Sequence, residues 1–157
     1  MKLYVLAAAA LIAAPAVAQM SPMDYVKNAG AGDLYERQSS QIVLQTTRNP
    51  EVRRFAQMMI RQHSQSTADV KAAAMRARLH PRPPMLMPDQ RRMIADLRAA
   101  RGRDRDTTYI TQQKQAHQQA LELHQTYSTT GTAPPLRNVA MKIVPVVQSH
   151  IDMLSRM

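Results

Sequence analysis

The sequence predicts an all-α protein, an antiparallel bundle of four helices, and three observations favour this fold. The 157 residues include only four Gly, one Phe and no Trp, whereas unbranched side chains, which lose little rotamer freedom in a helix, are abundant. No segment alternates apolar and polar residues long enough to indicate a strand. Turns rich in Pro or Gly separate long segments whose apolar residues recur at helical spacing.

Residues 1–18 are typical of a cleavable secretory signal peptide. Lys2 precedes the apolar run 3–14, and Ala16-Val17-Ala18 supplies the small residues that a signal peptidase recognises. The run is shorter than the roughly 20 residues that cross a bilayer, so a transmembrane anchor is the less favoured interpretation. We expect a mature single domain, 19–157, that is periplasmic or secreted.

Pro and Gly punctuate the expected helices. The first helix should run from about residue 22 to 47, and Asn49-Pro50-Glu51 should start the second, which continues to about residue 79. Asp89 should cap a short extra helix in the second-to-third connection. Gly102 separates this helix from a longer one, 104–129, and a last helix follows the turn at 131–135. Pro145 should kink the last helix because it cannot donate to the backbone ladder.

Four polar residues are expected to converge inside the bundle. His63, His117 and His150 each stand four residues from an apolar residue of the same helix, and residues four apart share a helix face. Glu36 is the interior candidate on the first helix because it lies on the same face as Val43. Glu36 and His63 lie at nearly equal distances on either side of the turn at residues 48–49, and His117 and His150 lie similarly, though less evenly, about the turn at Gly131.

Three imidazoles and one carboxylate suit a single zinc or copper ion. A di-iron site would require Glu-x-x-His pairs, and Ile60, Lys114 and Val147 occupy the positions three residues before the histidines, which argues against di-iron chemistry. In the alternative, the polar cluster only specifies helix packing, as a hydrogen-bonded network in an envelope structural or stress-protective protein. His80 and His124 are interpreted as ordinary residues, one in a turn and one near a helix end.

Several short segments together resemble a bacterial family called domain of unknown function 4142, over about residues 24–154. The resemblance implies a ferritin-like four-helix bundle in the cell envelope, and it implies an acid immediately before the second-helix and third-helix histidines, where this chain has Gln62 and Ala116. The segments are Tyr25-Val26, Phe55-Ala56-Gln57-Met58 with His63 downstream, the Gly102, Asp106 and Tyr109 series leading to His117, and Val144-Pro145 before His150.

The net charge of +10 predicts an anionic partner. An exported protein is separated from the nucleic acid of the cell, so anionic envelope polymers or lipid headgroups are the expected partners. The arginines at the second-to-third connection would form the docking end, although a solvated polar face is the alternative.

An enzyme is not favoured, since the chain lacks a Cys nucleophile, a Gly-rich phosphate loop and a Gly-x-Ser-x-Gly elbow. A third class, an enzyme with an unrecognised substrate, would need an open pocket beside the histidines. No feature of the sequence specifies an oligomeric state.

Overall fold

The computed structural model describes residues 19–157; the expected signal peptide, 1–18, lies outside the described residues. This part of the chain forms five α-helices and no strand, which confirms the all-α prediction. The helices are α1 (Pro22–Leu44), α2 (Pro50–Arg76), α3 (Pro88–Ala99), α4 (Gly102–Thr130) and α5 (Pro134–Leu154). No helix among them is long and apolar enough to cross a membrane.

Most helix boundaries lie within three residues of those expected. Asn49 caps α2 by accepting hydrogen bonds from the backbone N–H groups of Glu51 and Val52. The expected cap of α3 was wrong: Met87 is the N-cap residue, Asp89 lies in the first turn, and the Gln90 side chain accepts from the Met87 N–H at 2.8 Å. Pro88 takes the first helical position, where its missing N–H costs nothing.

The four long helices pack side by side. Helix α1 contacts α2 and α4, α5 contacts the same two helices, and α3 lies against α1 and α4. Pro145 lies inside α5, as expected.

Two apolar clusters fill the interior at opposite ends. One includes Tyr35, Phe55 and Leu154, and the other includes Tyr25 and Val70. Helices α2 and α4 run from the first cluster to the second, whereas α1 and α5 run the other way, so contacting long helices are antiparallel. Between the two clusters lies a buried polar layer that all four long helices build.

Candidate metal centre

His63 on α2 is fixed by a carboxylate on α1. Its Nδ1 lies 2.8 Å from Asp33 Oδ1, with both side chains buried. Arg37 and Thr67 brace this pair: the Arg37 guanidinium donates to the Thr67 hydroxyl at 2.6 Å, and that hydroxyl donates to Asp33 Oδ2 at 3.0 Å. Because a carboxylate can only accept, His63 carries a proton on Nδ1. Its Nε2, which is buried without a hydrogen-bond partner, holds a lone pair when the ring is neutral.

His117 on α4 is fixed by its own helix. Its Nδ1 donates to the carbonyl oxygen of Gln113, one turn earlier, at 2.9 Å. The Nε2 atom therefore carries the lone pair, and it lies 3.1 Å from Nδ1 of His150.

His150 on α5 is fixed by a side chain of α2. Its Nε2 donates to the amide oxygen of Gln62, a partly exposed contact at the edge of the site. This bond leaves the lone pair of His150 on Nδ1, the atom that faces His117.

The three imidazoles thus form one compact group on three helices. Ligand nitrogens of His63, His117 and His150 all lie within 4.8 Å of one another. In a tetrahedral zinc site with bonds of 2.0–2.1 Å, ligand nitrogens are about 3.3 Å apart. The His117–His150 separation of 3.1 Å is close to that value, so these two nitrogens are already spaced as ligands of one ion.

Glu36 is buried beside this group but does not belong to the mutually close set. Its Oε1 lies 3.7 Å from Nδ1 of His117, the nitrogen already bonded to Gln113, and its Oε2 is buried without a hydrogen-bond partner. The structure therefore brings together the three expected histidines and places Glu36 next to them, at the opposite edge of His117.

Burial sets the protonation states of the centre. It lowers the pKa of His117 to about 3 and that of His150 to about 3, and the positive charge of His63 acts in the same direction on both. Burial also opposes the charge on His63, but the hydrogen bond and charge of Asp33 outweigh it and raise the pKa of His63. Burial raises the pKa of Glu36 to about 7, against the opposing charge of His63. His117 and His150 are therefore neutral at pH 7, the form that binds metals, whereas His63 would release its Nε2 proton when an ion binds.

A cavity of about 660 Å³ adjoins the centre. All three histidines, Asp33 and Glu36 line it, together with side chains from every helix. Its lining also includes the exposed residues Gln65, Asp69, Lys142 and Val146, so the cavity reaches the surface.

Three residues of this region were missed or misjudged by sequence reasoning. Asp33 stands three residues before Glu36 and so shares its helix face, a signal that could have found it. Gln62, noted only as a departure from the expected acid, holds His150. His124 is not an ordinary helix-end residue: it is buried, lines the cavity and lies 3.0 Å from the Tyr25 hydroxyl through Nδ1.

Nine arginines surround α3, but they do not form the single docking end expected from the sequence. Helix α2 ends at the second apolar cluster and α4 begins at the first, so Arg76 and Arg105 lie at opposite ends of the long helices. Nearly all of the nine are exposed, and within residues 19–157 no Arg or Lys nitrogen lies within 4.0 Å of a carboxylate oxygen. Arg105 is the buried exception, and it donates to backbone carbonyls and to Thr46. The nine arginines are Arg76, Arg78, Arg82, Arg91, Arg92, Arg98, Arg101, Arg103 and Arg105.

Fold and site together define an all-helical protein with a buried three-histidine centre. The chain belongs to the family described as domain of unknown function 4142, whose model matches residues 7–157. This match confirms the family resemblance inferred from the sequence. No curated protein matches the chain.

Solved structures share the fold at low identity. CopM in its Cu(II)-bound form is 18% identical, with 88% of this chain and 96% of that chain covered and a TM-score of 0.74. CopM in its Cu(I)-bound form is 17% identical, with coverage of 88% and 95% and a TM-score of 0.73. A fragment of a domain of unknown function 305 protein from Deinococcus radiodurans is 17% identical, with coverage of 87% and 96% and a TM-score of 0.72. At such identities the likeness concerns the fold alone.

Proposed function

We propose that this protein is an exported, ferritin-like four-helix bundle that binds one zinc or copper ion. His63, His117 and His150 are the ligands, and Glu36 lies beside them as a buried carboxylate. The convergence of three imidazole nitrogens carries the proposal. If His117 and His150 were only hydrogen-bonded to each other, a proton would lie between their facing nitrogens, which are 3.1 Å apart. Instead, each ring donates its proton to a partner on its other side, the carbonyl oxygen of Gln113 for His117 and the amide oxygen of Gln62 for His150.

The chemistry of the donors agrees with this metal class. Neutral imidazole is a good ligand for zinc and copper, and the hydrogen bond from His63 to Asp33 is the outer support that metal-binding histidines almost always have. Structural neighbours include CopM with Cu(I), Cu(II) or silver bound, which supports a metal as the ligand of this fold.

Metal content and thermal stability of the purified protein, without a polyhistidine tag, test the proposal. The wild type should retain about one equivalent of zinc or copper and melt at a higher temperature with metal than with chelator, because an ion that binds only the folded state stabilises it. A His63→Ala/His117→Ala double variant should do neither. His80→Ala, which removes an exposed imidazole outside the centre, should behave like wild type.

A structural role is the second candidate, and specific contacts favour it. The Asp33–His63 bond joins α1 to α2, and the His150–Gln62 bond joins α5 to α2, so the polar layer could fix helix register without any ion. In that case no metal would be retained, chelator would leave the melting curve unchanged, and the double variant would still lose stability.

Export and surface docking complete the proposal. The signal at residues 1–18 would deliver the domain to the periplasm or medium, and N-terminal sequencing of exported protein should begin at Gln19. The exposed arginines spread around α3 support docking on anionic lipid headgroups of the envelope. Flotation with anionic vesicles should carry the protein in low salt and release it in high salt, and neutral vesicles should not carry it.

A further inference from the structure

The three histidines leave a metal ion short of ligands on one side. Structural zinc sites almost always have four protein ligands, whereas sites with three keep a position for an outside ligand. Glu36 is the remaining ligand that the sequence predicted. It approaches the Nδ1 edge of His117, while the contact with His150 is at the Nε2 edge.

The cavity gives an outside ligand access to the position that Glu36 does not fill. The three histidines form part of its wall, so an ion held by them would face open space that continues to the surface. A volume of about 660 Å³ lies within the usual range of small-molecule sites, roughly 300–1,000 Å³. The wall from α5 is mainly apolar, with Val139, Ile143, Val146 and Val147, and Lys142 lies on the same helix.

The ion itself indicates the class of ligand. A divalent ion bound by three neutral imidazoles keeps two positive charges, and the carboxylates of Asp33 and Glu36 lie at the Nδ1 edges of their histidines and not at the open position. The cavity lining carries both signs of charge, with Lys142 and Asp69 among its residues. The attraction for an anionic donor therefore comes from direct contact with the metal ion.

The geometry points to an open metal centre, in which a small exogenous anion from the cavity takes the position that the three histidines leave free. This inference rests on the proposed metal function. Glu36 is then a neighbour of the ligand set and not its fourth member.

Azide binding to the Cu(II)-loaded protein tests the inference. The protein would first receive one equivalent of Cu(II), with retention checked by metal analysis after desalting. Titration with azide should produce a saturable azide-to-copper charge-transfer absorption with a 1:1 endpoint and a matching change in the electron paramagnetic resonance spectrum. Glu36→Gln should retain both responses with at most a two- to threefold change in azide affinity, because Glu36 does not hold the position. His117→Gln should lose them.

The possible results separate the two proposals. Loss of all copper on desalting would overturn both the metal function and the open centre. Retained copper without an azide response in the wild type would overturn only the open centre, and a response that appears only in Glu36→Gln would identify Glu36 as the fourth ligand. An unchanged response in His117→Gln would place the azide on copper bound elsewhere and would also overturn the inference.

Discussion

The Nδ1–H of His63 donates to Asp33 Oδ1 over 2.8 Å, and this contact leaves the buried Nε2 of His63 without a hydrogen-bond partner in the centre that it forms with His117 and His150. A carboxylate behind an imidazole fixes the tautomer and increases the basicity of the opposite nitrogen. Asp33 is therefore a positioning residue for the centre, although it does not belong to the three converging ligands.

Asp33→Asn should weaken metal binding about 10- to 100-fold, the usual effect of losing such a partner. The amide keeps the size of the side chain but removes the charge that supports His63. A competition titration against a chelating dye would measure the change. Asp69→Asn is the matched control, since Asp69 lines the same cavity but is exposed, and it should bind metal like wild type. Equal losses in the two variants would indicate a general charge effect and contradict the role of Asp33.

The metal-free protein should lose stability as the pH falls from about 6.5 towards 4. The folded state holds His117, His124 and His150 neutral, with pKa values of about 3, 4 and 3, whereas the unfolded chain titrates them near 6.5. Between these values the unfolded state binds protons that the folded state does not, so low pH favours unfolding. The raised pKa values of Glu36 and His63 act in the opposite direction, but two groups do not outweigh three.

Urea unfolding in the presence of chelator at several pH values measures this dependence. His124→Gln should flatten the dependence because it removes one of the three histidines without touching the centre. His80→Gln should leave the slope as in wild type, since His80 is exposed. A free energy of unfolding that stays constant from pH 7 to pH 5 would contradict the assignment of neutral buried histidines.

Two glycines should respond to alanine in opposite directions. A Cβ at Gly131 would lie 2.6 Å from Tyr127 Cε1 and 2.6 Å from its carbonyl oxygen, and the Tyr127 ring cannot retreat because it stacks on Tyr25 at a centroid distance of 3.9 Å. Gly131→Ala should therefore cost about 1–3 kcal/mol. Gly32 lies inside α1, and a Cβ there would meet no neighbouring group within 4 Å, so Gly32→Ala should gain up to about 1 kcal/mol. Urea unfolding compares the two variants, and a neutral Gly131→Ala would show that the turn can shift.

Much of the fold and part of the centre could be predicted from sequence because helical spacing fixes which residues share a face. That rule identified His63, His117 and His150 as interior residues on three helices. It could not fix the rotation of each helix about its axis, which decides whether Asp33 or Glu36 meets His63. Gln62 illustrates the same limit: it is adjacent to His63 and points about 100° away from it, so only the packing of α5 against α2 brings it to His150.

Gln62→Glu should strengthen metal binding. In the present chain His150 donates from Nε2 to a neutral amide oxygen, and a carboxylate there would make a charge-assisted bond that is about twice as strong. The added negative charge would also increase the basicity of Nδ1, the nitrogen that faces the centre. Gln62→Ala should have the reverse effect because His150 would lose the partner that fixes its tautomer.

Competition titrations on the two variants and wild type would measure the order of affinity, with Gln65→Glu as the control. Gln65 is exposed and lines the cavity, and its amide nitrogen donates to Asp69, so a carboxylate there adds the same charge without reaching a histidine. Affinity should rise in the order Ala, Gln, Glu at position 62 and change little in Gln65→Glu. If both glutamate variants strengthened binding equally, attraction of the cation by the cavity would explain the gain, and the contact with His150 would not.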